Sequence, residues 1–228
     1  MRGWLLPLVS VGVLGCSDLT EGAGGVVELE ISTPATSTLE VGETLQLSAR
    51  ALDKDGNAVA VPVTWRVTDP TISVDAATGI ITGVAPGTGR VQAFAGSLGS
   101  ESVSFNVIAR ADTLILIGDS IVTVAAGIAA SAPLVTQLQS FSPAGVLGSR
   151  PVVYAVTSPP DVGPHSVELT GAVLTDTVQT GSDGNAQTIL SRVAGVPSPD
   201  SAIVEIRAFR TRGDPVPGSG QRFIVRFQ

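Results

Sequence analysis

The chain is poor in the side chains on which most enzyme chemistry depends. It has one cysteine (Cys16), one histidine (His165), one lysine (Lys54), one tyrosine and one methionine, and only 14% of its 228 residues are charged. A lone cysteine excludes an intrachain disulfide and any CxxC metal motif. A lone histidine in the run Pro159-Pro160-Asp161-Val162-Gly163-Pro164-His165, with no second histidine or free thiol to work with, removes the usual general base and nucleophile pairs. There is no HExxH pattern, no glycine-rich phosphate loop after a strand and no interleaved basic and aromatic stripe. With a net charge of −7 and no basic cluster, the chain lacks what neutralises phosphates, so nucleic acid is not expected as a partner. These absences predict a protein that is not an enzyme and carries no cofactor and no metal.

What is present points to short strands. Apolar residues make up 43% of the chain, and 26 glycines and 15 prolines punctuate them. A disordered chain would be far more polar, so the glycine and proline are read as turns between strands. At roughly 100 residues per sandwich, the length suits two domains.

The N-terminus reads as an address. Arg2 precedes the apolar run Trp4 to Gly15, which falls far short of the ~20 residues a membrane span needs. The run closes on Val13-Leu14-Gly15-Cys16, which resembles the bacterial lipobox. That resemblance implies a signal peptide over residues 1–15 and a diacylglycerol on Cys16, which would hold the protein on a membrane through its lipid. Ser17 follows where inner-membrane lipoproteins often carry Asp, so an outer-membrane address is expected. Residues 16–25 are then a polar tether of at most roughly 30 Å.

Residues 26–109 are expected to form the first domain. Leu29 and Ile31 alternate with Glu28 and Glu30. Leu45, Leu47, Ala49 and Ala51 alternate with Thr44, Gln46, Ser48 and Arg50 in the cleanest strand pattern of the chain. Asp53-Lys54-Asp55-Gly56-Asn57 is a turn. Its acidic opening is like that of a calcium loop, but Ala58 and Thr64 stand where that loop needs Gly and Glu. Val63, Trp65 and Val67 then line an inner face, with Trp65 as a core plug. Ile80 to Val84, Arg90 to Ala95 and Ser102 to Val107 complete about seven strands. The order Val41-Gly42-Glu43, Trp65 and Gly83-Val84-Ala85-Pro86-Gly87-Thr88 resembles a bacterial Ig-like domain of group 2, a family of surface adhesins and envelope proteins.

Residues 110–228 are expected to form a second sandwich that abuts the first, because Ala109 to Asp112 is too short and too poor in glycine for a flexible linker. Ile121 to Ile128 fits either helical or strand spacing, and its β-branched content favours strand. Further strands are expected at Leu134 to Phe141, Val152 to Thr157, Val173 to Gln179, Asn185 to Leu190, Ala202 to Ala208 and Arg222 to Phe227. Turns fall at Ser142 to Gly145 and Gly181 to Gly184. The segments TVAAGIAASAPLVTQLQ, RPVVYAVTSPP and TGSDGNAQTIL resemble Ig-like domains of group 1, the invasin and intimin type, with a departure at Phe141 to Ser149.

The whole therefore predicts an all-β lipoprotein with two tandem Ig-like sandwiches, acting as a non-catalytic adhesion or binding module of the cell envelope. A protein or glycan ligand would meet the second domain's loops, residues 158–166 and 210–221, at the end farther from the membrane. The alternatives are a passive spacer or envelope-assembly component, and a hydrolase with an unrecognised carboxylate pair.

Overall fold

The structure, a computed structural model, describes residues 25–32, 34–160 and 164–228. Residues 1–15, Cys16 and the tether up to residue 24 lie outside the described residues. So do residues 161–163 of the proline-rich loop.

Among the described residues every regular element is a strand. The first half holds β1 (Glu28–Ile31), β2 (Thr38–Glu40), β3 (Thr44–Gln46), β4 (Ala49–Leu52), β5 (Ala58–Val59), β6 (Thr64–Val67), β7 (Ile72–Val74), β8 (Ile80–Gly83), β9 (Gly87–Ala95), β10 (Leu98–Gly99) and β11 (Val103–Ile108). One layer joins β10, β9, β11 and β2, with β6 on the other side of β9. The opposite layer consists of β1-β4-β5 and β3-β8-β7. Leu39, Trp65, Ile81, Val91 and Phe105 are buried between the layers.

The strand expected from Thr44 to Ala51 keeps its alternation but changes partner. β3 pairs with β8 and β4 pairs with β1, with the exchange at Leu47 and Ser48. Leu47 N still donates to Gly79 O at 3.1 Å, and Ser48 O accepts from Ser32 N at 2.9 Å. The chain thus stays extended through the handover, and Leu47 and Ala51 stay buried. Trp65 is 4% exposed. Gly79 makes room for it: a Cβ there would come within 2.6 Å of the indole, and the glycine also sits at φ +75°. The Asp53 turn is closed by Asp53 Oδ1, which accepts from the Asp55 and Asn57 backbone at 2.9 and 2.8 Å. Those backbone donors hold the Asp53 carboxyl below its ordinary value of 3.8.

The second half holds β12 (Thr113–Ile117), β13 (Ile121–Val124), β14 (Leu134–Phe141), β15 (Ala144–Val146), β16 (Pro151–Ser158), β17 (Val167–Leu169), β18 (Thr175–Gln179), β19 (Asn185–Thr188), β20 (Leu190–Arg192), β21 (Ser201–Ala208) and β22 (Arg222–Phe227). One layer runs β13-β22-β21-β16-β18. The other combines β12-β14-β15, β19 paired to β14, and the β17-β20 ribbon. β13 pairs with β22 in parallel, so the segment from Ile121 that fitted either spacing is a strand.

Four details differ from the sequence reading. The strand expected from Asn185 to Leu190 breaks at Ile189, whose N–H goes to Thr170 Oγ1 at 3.2 Å, and Leu190 pairs with Leu169 instead. The turn expected over Ser142 to Gly145 is tighter, because Phe141 already pairs with Ala144. The strand expected from Val173 begins at Thr175, and β17, which the prolines ahead of it obscure, was not expected.

Tyr154 crosses this second core fully buried. Its hydroxyl donates to Ala186 O at 2.7 Å and lies 2.7 Å from Thr136 Oγ1. Burial pushes its pKa up to about 12, so it stays a neutral donor. Two substitutions test the cores by chemical denaturation. Trp65→Ala should cost about 3–5 kcal/mol. Tyr154→Phe, which leaves the Ala186 carbonyl only the longer contact from Thr136 Oγ1 at 3.5 Å, should cost about 1–2 kcal/mol. A Trp65→Ala chain with the wild-type midpoint would mean that the indole is not the plug.

Candidate functional site

The residues with the most unusual environment lie where the two sandwiches meet. β2 ends at Glu40, and Val41-Gly42-Glu43 turns the chain into β3. Glu43 N donates to Glu40 O at 2.9 Å, and Gly42, at φ +82°, takes the conformation that favours glycine. The turn is laid across Gly83: Gly42 N donates to Gly83 O at 2.8 Å and Gly83 N to Glu43 O at 3.0 Å. A Cβ at Gly83 would meet Glu40 O at 2.7 Å, so this approach needs glycine. The Glu43 carboxylate folds back to accept from Glu40 N at 2.7 Å.

On this turn sit arginines from the second half. Arg150 Nη1 lies 3.4 Å from Glu40 Oε1, and Arg210 Nε lies 4.0 Å from Glu40 Oε2. The same two side chains grip the connecting segment: Arg150 Nη2 donates to Ala109 O at 2.7 Å and Arg210 Nε to Ala111 O at 3.0 Å. Thr211 Oγ1 donates to Glu43 Oε2 at 3.0 Å, and Arg212 Nε pairs with Glu43 Oε1. Asp112, 5% exposed, pairs with Arg110 Nε at 2.6 Å and accepts from Phe141 N at 2.7 Å. The segment between the cores is therefore clamped, with Ala111 in the second core.

Glu40 is the strained member of this cluster. It is 2% exposed, and its Oε1 makes no hydrogen bond among the described residues, so its compensation is Coulombic. Burial raises its carboxyl above the ordinary 4.5, opposed chiefly by Arg150 and the Ala111 backbone. A cleft of about 160 Å³ opens beside it, lined by Glu40, Gly42, Glu43, Arg110, Arg210 and Asp214. That is about half the smallest volume usual for an organic ligand site, roughly 300 Å³. The cluster acts as an ionic seam between two bodies.

This geometry corrects one expectation. Residues 210–221 are not at the far end of the second half; Arg210, Thr211 and Arg212 are committed to the seam, and Val216 is buried. The described residues of the other expected loop lie at the opposite end, because β16 runs from beside Arg150 at the seam away to Ser158. A hollow of about 140 Å³ there is lined by Pro159, Pro160, Pro164, His165, Ser166, Val167 and Leu174. Among the described residues no three His, Cys, Asp or Glu side chains converge as a metal site, and no helix is long and apolar enough to cross a membrane.

Residues 28–107, which contain the turn, the tryptophan plug and Gly83, match the family of bacterial Ig-like domains, group 2. This segment is a bacterial Ig-like domain. No curated protein matches the chain. Solved structures similar to it include the Yersinia pseudotuberculosis adhesin InvE, at 16% identity over 91% of this chain and 61% of that one, with a TM-score of 0.42. The chain thus spans less than two thirds of the adhesin. Domains 4 and 5 of the S-layer protein SbsC are 17% identical over 89% and 98%, with a TM-score of 0.34. The D0-D1 domain of intimin is 18% identical over 87% and 98%, with a TM-score of 0.30.

The Ig-like signature Val41-Gly42-Glu43 was legible in the sequence, but its docking role was not. Glu40 and Glu43 find partners more than a hundred residues away, and only the hint that the halves abut could have pointed there. The sign of the Glu40 shift gives a test. With its folded pKa raised, its contribution to stability is fully present below 4.5 and is lost as pH rises through the folded value. Glu40→Gln should remove that downward slope from the melting temperature measured from pH 4 to 8. Arg150→Ala, which strands the buried carboxylate, should cost about 3 kcal/mol at pH 7, and much less in the Glu40→Gln background. Equal losses in both backgrounds would mean that Arg150 and Glu40 are not coupled.

Proposed function

We propose that this chain is a non-catalytic lipoprotein of the bacterial cell envelope, lipid-anchored at Cys16 after removal of residues 1–15, most simply in the outer membrane. In this reading residues 26–109 and 110–228 form a two-domain binding module, the second domain being of the invasin and intimin type. The observation that carries it is the ionic seam. Because Arg150, Arg210 and Arg212 fix the second sandwich on the turn of the first, the residues that flank the distal loop, Pro159, Pro160 and Pro164 to Ser166, are held at a defined distance from the first sandwich. That loop is the place for a protein or glycan ligand.

The same seam favours a second reading, a rigid spacer or envelope-assembly component. It occupies the 210–221 loop, and with it one of the two surfaces that could have bound a partner. One experiment tests the anchor and a second separates these readings. Cys16→Ala, expressed as the precursor in a bacterial host, should lose acyl labelling and membrane attachment; attachment at the wild-type level would remove the lipoprotein reading. Crosslinking on intact cells should capture a partner that is lost when residues 158–166 are replaced by Gly-Ser. If that replacement changes nothing at the cell surface, the spacer reading takes over.

A further inference from the structure

The outward face of the β6-β9-β11 sheet carries a groove of about 280 Å³, lined by Arg66, Thr68, Arg90, Gln92 and Ser102. Its two guanidinium groups are in different states. Arg90 is held by Asp69, with Nε 3.1 Å from Oδ2 and Nη2 3.2 Å from Oδ1, and this pairing keeps the Asp69 carboxyl below its ordinary value. Arg66 has no carboxylate in ion-pair range among the described residues. Its guanidinium lies instead over the Phe94 ring, 4.7 Å from the centroid. The register that sets Thr64 against Phe94 and Arg66 against Gln92 makes Arg66 and Phe94 diagonal neighbours. Phe94 is itself seated over Gly99, where an added Cβ would come within 3.0 Å of the ring. Arg66 is thus positioned by stacking, and its N–H fork has no anion.

The groove is lined by two arginines and no acidic residue, and of the two only Arg90 is paired, with Asp69. The ligand it complements is an anion. The rest of the lining narrows the class. Gln92 Nε2 donates to Ser100 O at 3.1 Å, which fixes the amide, and Gln92 lines the groove with the hydroxyl residues Thr68 and Ser102. Polypeptide partners draw their affinity from apolar and aromatic anchors seated in pockets, and no lining residue here is apolar. An open strip of hydroxyl, amide and guanidinium groups fits a polyhydroxylated chain that bears carboxylates.

We propose that this face binds an acidic polysaccharide, with the carboxylate of one uronic-acid unit on Arg66 and its neighbouring hydroxyls on Thr68, Gln92 and Ser102. Arginine's planar fork matches a carboxylate in two parallel bonds. The site is on the first domain and stands apart from the distal loop, so it holds whether or not that loop binds anything.

The test is calorimetric titration of the full chain with oligogalacturonate and with its methyl ester, which keeps the sugar backbone and removes the charge. The free-acid form should bind and the ester at least about tenfold more weakly. Arg66→Gln should weaken binding by about tenfold or more at an unchanged melting temperature. Arg66→Lys, which keeps the charge and the stacking stem, should fold normally and lose affinity several-fold. Replacing residues 158–166 by Gly-Ser should leave the titration as it was. Absence of wild-type binding, an Arg66→Gln chain that binds like wild type, or loss of binding on changing the distal loop would each overturn the assignment. Equal or tighter binding of a poly-glutamate of matched length would do the same by giving the face to an acidic polypeptide.

Discussion

The contact on which the rest depends is the turn at residues 40–43 pressed onto Gly83. Two backbone hydrogen bonds, Gly42 N to Gly83 O and Gly83 N to Glu43 O, join the end of β2 to the end of β8, elements that belong to opposite layers of the first sandwich. The sandwich is closed at that edge, and the same closure drives the Glu40 side chain inward. Burying a carboxylate without a hydrogen bond on one oxygen is costly, and among the described residues no cation of the first domain pairs with it. The offset comes from Arg150 and Arg210, more than a hundred residues later. The closure of one domain is thus completed by charges that the other supplies.

A buried ion pair is a weak source of net stability, because desolvation consumes most of the Coulombic gain. Its stronger effect is on orientation. If the second sandwich rotated about the 109–112 segment, Arg150 and Arg210 would leave Glu40 as well as the Ala109 and Ala111 carbonyls. One buried charge and two part-buried acceptors would then lose their partners at once. Outward of Glu40, Glu43 repeats the arrangement at the rim with Thr211 and Arg212, where exposure makes each contact weaker but adds to the selection of a single pose.

How far the sequence could reach follows from what is periodic in it. Alternation placed Leu47, Ala51, Trp65, Phe105 and Val107 inside, and each is buried. Turn chemistry located Asp53 to Asn57 and Gly181 to Gly184, because an Asp that accepts from the backbone two residues on, followed by a glycine at positive φ, is a local device. Strand exchange at Leu47 was invisible, since the side-chain period is the same whichever neighbour the strand pairs with. The seam was invisible for a different reason: Glu43 and Arg212 are 169 positions apart, and nothing in local pattern distinguishes a surface glutamate from a docked one. The 210–221 loop, rich in glycine, proline and arginine, looked free because those residues also make free loops. The Arg66 groove escaped for the converse reason, as its residues alternate outward like any solvated strand face.

What the seam leaves open also bears on how copies of this chain can coexist at high density. A sheet edge is a template for another chain unless it is short, charged or covered. Here the outer strands β5 and β10 have two residues each and β15 has three, too few to template a stable pairing. The five-residue edge β18 carries Asp176 in Thr175-Asp176-Thr177, and that carboxylate accepts from Thr188 Oγ1 at 2.9 Å, on the neighbouring layer. Its charge is held inward by this bond, and a strand added along β18 would take that carboxylate further from water, which disfavours the pairing. With pairing discouraged along these edges and only a small cleft left at the junction, the distal loop and the broad sheet faces are the larger surfaces on which something can be recognised. On the first domain's face, the β6-β9-β11 sheet, the chain sets Arg66, which among the described residues has no carboxylate in ion-pair range and lies over Phe94.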